Sequence, residues 1–159
     1  MQNISAKEYL KSIRTLDMAI KVKEEELYRL KLNIASLSPQ TTGERVMNSS
    51  TSDMMSTVDK IVDMQAVINA EIDRLVNLKE EARSKINQLK DTRYVSLLTD
   101  YYINCKTWEQ VADDMGYDLR YIYKLHGRAL QVFDKILKED IKRHPERCYN
   151  GIVEKRQKG

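Results

Sequence analysis

A chain of 159 residues, 42% hydrophobic and 32% charged, suits one or two small domains and is too short for an enzyme-sized core. Five glycines and two prolines leave little room for turns over that length, which predicts an all-α fold. No basic start precedes an apolar run, and no stretch approaches the roughly eighteen apolar residues of a membrane span, so neither export nor membrane insertion is expected.

The cysteine and histidine content is small and scattered. Cys105 and Cys148 stand far apart without a CxxC motif, which favours free thiols in a reducing cytosol and therefore a cytoplasmic protein. His126 and His144 could join them in a metal site, but the spacing matches no known ligand pattern. No Gly-rich phosphate loop, Ser/His/Asp set or nucleophile elbow occurs either. We expect no metal, no cofactor, no membrane partner and no enzymatic activity.

The first long segment has the pattern of a helix that packs against another helix. Ser5 and Glu8 have the spacing of a capping box, and the segment should be helical from about residue 6 to 37. Its apolar residues recur every seven positions, in one row of Ile13, Ile20, Leu27 and Ile34 and a second of Leu16, Leu30 and Leu37 that Lys23 interrupts. Such rows are typical of the a/d seam of a coiled coil.

A second long helix is predicted from about residue 53 to 90, after a loop at 38–52 that is rich in hydroxyl residues. Apolar residues again recur every seven positions (Met54, Ile61, Ile68, Leu75, Ala82, Leu89), flanked by Val58, Met64, Ile72, Leu78 and Ile86. Two helices joined by about fifteen residues predict a long antiparallel helical hairpin, coiled-coil-like, in residues 1–90. The wide stripe predicts a homodimer or higher homo-oligomer through residues 6–90. Heptad spacing alone leaves an intermolecular coil open.

Residues 91–143 predict a C-terminal three-to-four-helix helix-turn-helix domain. Asp91 should cap a third helix, and Thr107 with Gln110 forms a capping box for the next. Gly116 stands where a turn needs positive φ, and Asp118 has the position of the following N-cap. The residues expected to point inward are Val111, Ala112, Met115, Tyr117, Ile122 and Leu125, with Trp108 as an anchor on the third helix. Pro145 should end the last helix before a basic, flexible tail at 144–159.

The outward face of the second motif helix is the candidate DNA-binding surface. Arg120 and Lys124 are expected to bond base edges or phosphates, and Tyr123 to pack on a thymine methyl or a sugar. Arg128 should bind phosphate or pair with an acid. Gly127 either permits close helix crossing, the interpretation we favour, or lets backbone approach DNA. The full candidate set is Leu119, Arg120, Tyr121, Tyr123, Lys124, Gly127 and Arg128.

Charge changes sign where that helix begins. Residues 91–118 hold six acidic and two basic residues, whereas the chain from Leu119 onward holds eleven basic and five acidic residues. A local basic surface of this kind is typical of nucleic-acid binding, although the net charge of the whole chain is only +3.

The run from Thr107 to Leu130 resembles region 4 of bacterial primary sigma factors. The matching residues are Thr107, Glu109, Val111, Ile122, Arg128, Ala129 and Leu130, in about a quarter of the chain. The helix start differs, with Asp-Leu-Arg-Tyr at 118–121 in place of Thr-Arg-Glu-Arg, so the resemblance implies DNA binding without the −35 specificity. The whole chain is similar to small phage proteins with sigma-like ends, which are related to late-gene activators of the autolysin-regulator type.

These features together predict a sequence-specific transcription regulator of phage or prophage type that binds double-stranded DNA and self-associates through its hairpin. Two alternatives stay open. One is a DNA-packaging adaptor similar to a small terminase subunit, which would assemble into a ring. The other is an interaction protein whose sigma-like domain binds RNA polymerase or a sigma factor.

Overall fold

The computed structural model describes residues 4–36 and 50–145, and all secondary structure in these ranges is helical. The all-α prediction is therefore confirmed. None of the helices in the described ranges is long and apolar enough to cross a membrane. In chain order the elements are α1 (Ala6–Ser36), α2 (Ser50–Ile86), α3 (Thr92–Leu98), a π-helical turn (Thr99–Ile103), α4 (Trp108–Met115) and α5 (Leu119–Arg143).

The bounds of α2 differ from the predicted 53–90 at both ends. The helix already includes Ser50, so residues 50–52 of the predicted loop are helical. It ends at Ile86 because the chain tightens there: the N–H groups of Gln88 and Leu89 donate to carbonyls three residues back, at 3.1 and 3.0 Å. Residues 38–49 of the predicted loop and 146–159 of the predicted tail lie outside the described residues.

Contacts divide the chain into two compact units. One is Asp17–Val76, here called the long-helix unit; the other combines Met1–Leu16 with Asn77–Gly159 and is called the C-terminal unit. Each long helix therefore contributes to both units. The predicted domain boundaries near residues 90 and 143 would separate parts that fold independently, and they stay predictions.

In the long-helix unit, polar side chains of α1 and α2 contact each other at two levels. Lys23 Nζ lies 2.7 Å from Glu71 Oε1, and Lys31 Nζ donates to Gln65 Oε1 at 3.1 Å. Residue numbers thus rise along one helix as they fall along the other. The buried side chains between them are Ile20, Leu27, Ile68 and Leu75. Burial of such a row supplies most of the stability of a long helix, since propensity alone is marginal.

In the C-terminal unit, one stripe of α5 forms the centre of the core. Its residues Ile122, Leu125, Ala129, Phe133 and Leu137 are all 0 or 1% exposed. The first turns of α1 pack on it: the rings of Tyr9 and Phe133 lie 6.4 Å apart, and Leu10 and Ile13 are fully buried. The Ala6 N–H donates to Asp134 Oδ1 at 3.2 Å, so α5 also helps to cap α1.

Ion pairs of Lys85 and Lys138 strengthen the same core. Lys85, with only 9% of its side chain exposed, reaches Glu81 and Asp140 and lies 5.2 Å from the Tyr9 ring centroid. The hydrogen bond from Lys138, with a smaller effect of the Ala6 N–H, lowers the pKa of Asp134. The Asp134 carboxylate therefore stays charged where it receives the α1 terminus.

Truncating the centre of this core should destabilise the chain strongly. We expect Phe133→Ala to lower the free energy of unfolding by about 3–5 kcal/mol, because it leaves a cavity among buried neighbours. The neighbouring Val132 is 38% exposed, and Val132→Ala should cost less than about 1 kcal/mol. Urea titrations followed by circular dichroism would measure both; equal losses would contradict the burial of this stripe.

Candidate nucleic-acid interface

Local hydrogen bonds set where α4 and α5 begin and end. The Gln110 N–H donates to Thr107 Oγ1 at 3.2 Å, and the Thr107 N–H donates to Gln110 Oε1 at 2.9 Å, which completes the predicted capping box. Gly116 ends α4 with φ of 69°, a left-handed conformation that glycine adopts at little cost. Asp118 then accepts the Tyr121 N–H at 2.8 Å and caps α5.

The start of α5 has one sealed side and one open side. Ile122, Leu125 and Ala129 are buried, at spacings of three and four residues. Arg120, Lys124 and Arg128 are exposed at spacings of four. Side chains four apart lie on one helix face, so these three bases and the intervening Tyr123 and Gly127 form one surface, here called the α5 basic face.

The remaining predicted contact residues lie at the edges of this face. Leu119 is half-buried. Tyr121 is also half-buried, and its hydroxyl accepts a hydrogen bond from Arg93 Nη1 at 3.1 Å. Tyr123 is 49% exposed, with its ring 5.4 Å from that of Trp108 in an edge-on arrangement. Tyr123 therefore presents an aromatic surface to solvent, whereas Tyr121 is held back against α3.

Tyr117 corrects one sequence-based expectation. It was predicted to point inward, but it is 38% exposed. The left-handed Gly116 turns the chain outward just before it, and the Tyr117 ring packs beside Tyr121 with centroids 4.8 Å apart. The small core between α4 and α5 is closed by Val111, Ala112, Ile122 and Leu125 without it.

Gly127 corrects a second expectation. Close helix crossing was the favoured reason for a glycine here, yet a Cβ built at this position meets nothing within 4 Å. The residue is exposed, between Lys124 and Arg128 on the α5 basic face. No neighbour in the described chain requires glycine, so packing within the chain does not explain it.

An aromatic cluster behind the α5 basic face was not predicted. Trp108 stacks on Tyr101 with centroids 3.6 Å apart and lies 4.7 Å from the His126 ring. His126 Nε2 and the Tyr102 hydroxyl are 2.9 Å apart. The π-helical turn brings Tyr101 and Tyr102 side by side against α4 and α5. Sequence spacing marked Trp108 as an anchor on the third helix but gave no signal for the partners in this cluster.

Arg14 of α1 holds the same cluster from another side. Its guanidinium carbon lies 4.3 Å from the Tyr101 ring centroid, and its Nη1 donates to the carbonyls of Tyr101 and Lys106, the latter at 2.9 Å. The left-handed backbone of Cys105, φ 56°, lies between these two carbonyls in sequence. One arginine thus satisfies two carbonyls in the irregular link that leads to α4.

The acidic and basic segments differ in how their charges are paired. Lys106 Nζ lies 2.8 Å from Asp114 and 3.1 Å from Asp100, and hydrogen bonds to these two carboxylates raise its pKa. Arg93 lies 2.7 Å from Asp91, which lowers the pKa of that carboxyl. By contrast, no ion pair within the described residues involves Arg120, Lys124 or Arg128. The positive charges of the α5 basic face are therefore not neutralised by ion pairs within the described residues.

Comparison with protein families gives one match. Residues 35–134 match a family described as a protein of unknown function (DUF1492). The chain belongs to this family. The match includes all of α2, α3 and α4 and the first part of α5, and thus the whole α5 basic face. No curated protein and no solved structure matches the chain.

The aromatic cluster should make stability depend on pH. Burial, with a smaller effect of the Lys7 charge, lowers the pKa of His126 to about 4. The unfolded chain, with a His pKa near 6.5, binds the proton more readily, so this contribution is complete above about pH 6.5 and is lost as the pH falls towards 4. Allowing for partial exposure, we expect a loss on the order of 2 kcal/mol between pH 7 and 4.

The matched variant is His126→Gln, which keeps a hydrogen-bond acceptor for Tyr102 but does not titrate. Urea unfolding at pH 7, 5.5 and 4 should show the natural chain losing more stability than the variant. Parallel pH profiles would show that His126 does not carry this dependence.

Proposed function

We propose that this chain is a sequence-specific DNA-binding regulator of transcription, of phage or prophage type. In this proposal α3 to α5 act as a sigma-region-4-like helix-turn-helix domain, and the long helices form a self-associating hairpin. The observation that carries the proposal is the α5 basic face. Three exposed bases without ion-pair partners in the described chain follow a tight α4–α5 turn, on the side of α5 opposite its sealed stripe.

The position of each basic side chain within α5 suggests its role. Recognition helices contact base edges with their first turns, so Arg120, in the first turn, is assigned to base readout, where a guanidinium can bond guanine O6 and N7 together. Lys124, one turn later, is assigned to a base edge or a phosphate. Arg128, a further turn along, is assigned to phosphate, which fixes register and not sequence.

Tyr123 and Gly127 fit the same surface. The half-exposed Tyr123 ring is held edge-on by Trp108, so an apolar contact with a thymine methyl would need little loss of side-chain freedom. Gly127 leaves open space between the basic side chains of Lys124 and Arg128. This space favours a close approach of helix backbone to DNA over close helix crossing as the reason for glycine here.

The resemblance to sigma region 4 supports the same conclusion independently of side-chain geometry. It extends from Thr107 to Leu130, and so includes the α4 capping box, the Gly116 turn and the α5 basic face. The pairing of Asp100 and Asp114 with Lys106 also fits, because it reduces the repulsion that these two carboxylates would exert on a phosphate backbone.

Removing two basic side chains from the α5 basic face tests the proposal directly. Arg120→Ala with Lys124→Ala should weaken retention of random-sequence duplexes by roughly 10²–10⁴-fold, because each contact contributes about 1–3 kcal/mol, and should reduce the salt dependence of binding. Unfolding stability should change by less than about 1 kcal/mol, since both side chains are exposed.

The matched control is Lys11→Ala with Lys90→Ala, which removes the same charge from exposed positions elsewhere in the C-terminal unit. Binding should change little in this control. If the Arg120 and Lys124 variant still bound DNA like the natural chain, or if both double variants lost binding equally, the α5 basic face would not be the interface.

Gly127→Ala separates stability from binding. The added methyl meets no neighbour within 4 Å, and alanine is the better helix former, so unfolding stability should rise by about 0.5–1 kcal/mol. If helix backbone approaches DNA here, the same methyl should weaken DNA retention. Thermal unfolding and filter retention measure the two effects; a variant that gains stability and binds DNA unchanged would remove Gly127 from the interface.

A further inference from the structure

The α2 helix carries a second row of uncharged residues beside its buried row. The row consists of Met55, Val58, Val62, Gln65, Asn69, Ile72 and Val76, at alternating spacings of three and four. Four of its apolar members are exposed, Met55 to 67%, Val58 to 43%, Val62 to 60% and Val76 to 49%, whereas Gln65 and Ile72 are half-buried. We call these seven residues the outer row.

The outer row has the geometry of a helix-packing surface. Spacings of three and four along one stripe are those of the a and d positions of a coiled coil, which accept another helix and not an extended peptide. At about 100° per residue, the stripe lies roughly 90° around α2 from the row of Ile61, Ile68 and Leu75, of which Ile68 and Leu75 are buried. Its seven positions hold no charge in a chain that is 32% charged, and Lys79 is the next position along.

Between Val58 and Val76 the order of residues in the outer row is symmetric about residue 67. Two valines and an amide, Val58, Val62 and Gln65, are mirrored by an amide and two β-branched residues, Asn69, Ile72 and Val76. An antiparallel second copy therefore places 58 opposite 76, 62 opposite 72 and 65 opposite 69. From 58 to 76 each apolar residue meets an apolar residue and each amide meets an amide, as an isologous two-fold contact requires, and Met55 at the end of the row lies opposite Lys79.

We propose that two copies of this chain form an antiparallel dimer through the outer rows of their α2 helices, with a two-fold axis passing near residue 67. The occupant is a second copy because the row is complementary to itself. This deepens the self-association part of the proposed function and rests on that part alone, not on DNA binding.

The central amides would set the register of the dimer. Within one chain Gln65 Nε2 donates to Asn69 Oδ1 at 3.0 Å, and Gln65 Oε1 accepts from Lys31 Nζ at 3.1 Å. A primary amide has two N–H groups and an oxygen with two lone pairs, so both residues keep capacity for bonds to the copy opposite. A shift of the register by one heptad would bury an amide against valine and leave its polar atoms unpaired, which disfavours other registers.

The size of the surface indicates a dimer of modest affinity. Seven partly exposed side chains at roughly 80 Å² each would remove on the order of 550 Å² per copy, or roughly 1,100 Å² in all, just under the lower limit for specific stable interfaces. We therefore expect a concentration-dependent equilibrium in the micromolar range.

Sedimentation equilibrium of the full chain without DNA tests the proposal. The natural chain should shift from monomer to dimer as its concentration rises to about 0.1 mM. Val62→Lys should weaken the dimer by at least tenfold, whereas Val67→Lys, a change to a 51% exposed valine on the far side of α2, should leave it unchanged. A natural chain that stays monomeric, or equal effects of both variants, would overturn the proposal.

Cysteine cross-linking tests the orientation in a background with Cys105→Ser and Cys148→Ser. Mild oxidation of a mixture of Val58→Cys and Val76→Cys chains should give the mixed disulfide dimer in excess over both self-linked forms. Preferential self-linking of Val58→Cys would indicate parallel helices and overturn the proposed arrangement. Neither outcome affects the test of the α5 basic face, because that test measures DNA retention of variants outside α2. Failure of the dimer proposal and failure of the DNA-binding proposal can therefore be distinguished.

Discussion

Burial of the apolar stripe of α5 is the constraint on which the candidate interface depends. Phe133 and Leu137 lie about four and five turns after the start of α5, and both are at most 1% exposed. Rotating α5 about its axis would bring such side chains into water, at about 1.5–3 kcal/mol for each one fully exposed. The stripe therefore fixes the rotation of the entire helix, and the outward direction of Arg120, Lys124 and Arg128 follows from that rotation.

Local capping then fixes the residue at which α4 ends and the residue at which α5 begins. Asp118 accepts the Tyr121 N–H, and Gly116 adopts the positive φ that ends α4. Because each helical residue turns the chain by about 100°, the residue at which α5 starts decides which side chains face the core. Caps and burial specify the same phase for α5, and such agreement between local and tertiary preferences favours a single folded arrangement.

Periodicity and capping chemistry were sufficient for much of this molecule. They predicted the helical class, the three N-caps at Asp91, Thr107 and Asp118, and the apolar side of α5. These features depend on residues within one or two turns of each other, which is the range a sequence pattern reports.

The features that were wrong or absent depend on contacts between distant residues. Tyr117 was assigned to the core by position, yet its exposure depends on the turn at Gly116 and on the Tyr121 ring. Arg14 meets the carbonyl of Tyr101 across 87 residues of sequence, and the π-helical turn places the Tyr101 ring in that contact. Gly127 looked like a packing residue because glycine is unfavourable in a helix, but only coordinates reveal the empty space around it.

The two surfaces considered for binding differ in chemistry, and local sequence accounts for the difference. On α5 the bases recur every four residues without acids among them until Asp134, so the local potential is positive although the chain carries a net charge of only +3. Charges beyond about 8 Å are largely screened at physiological salt, so a polyanion would respond to that local face and not to the chain average.

The outer row of α2 has the opposite composition, with no charge at seven positions, and an amide centre that suits its own copy. A surface without charge lacks the electrostatic attraction to a phosphate backbone, and a surface of like charges would repel its own copy. In the two proposals, the charge of each surface therefore favours one class of partner over the other.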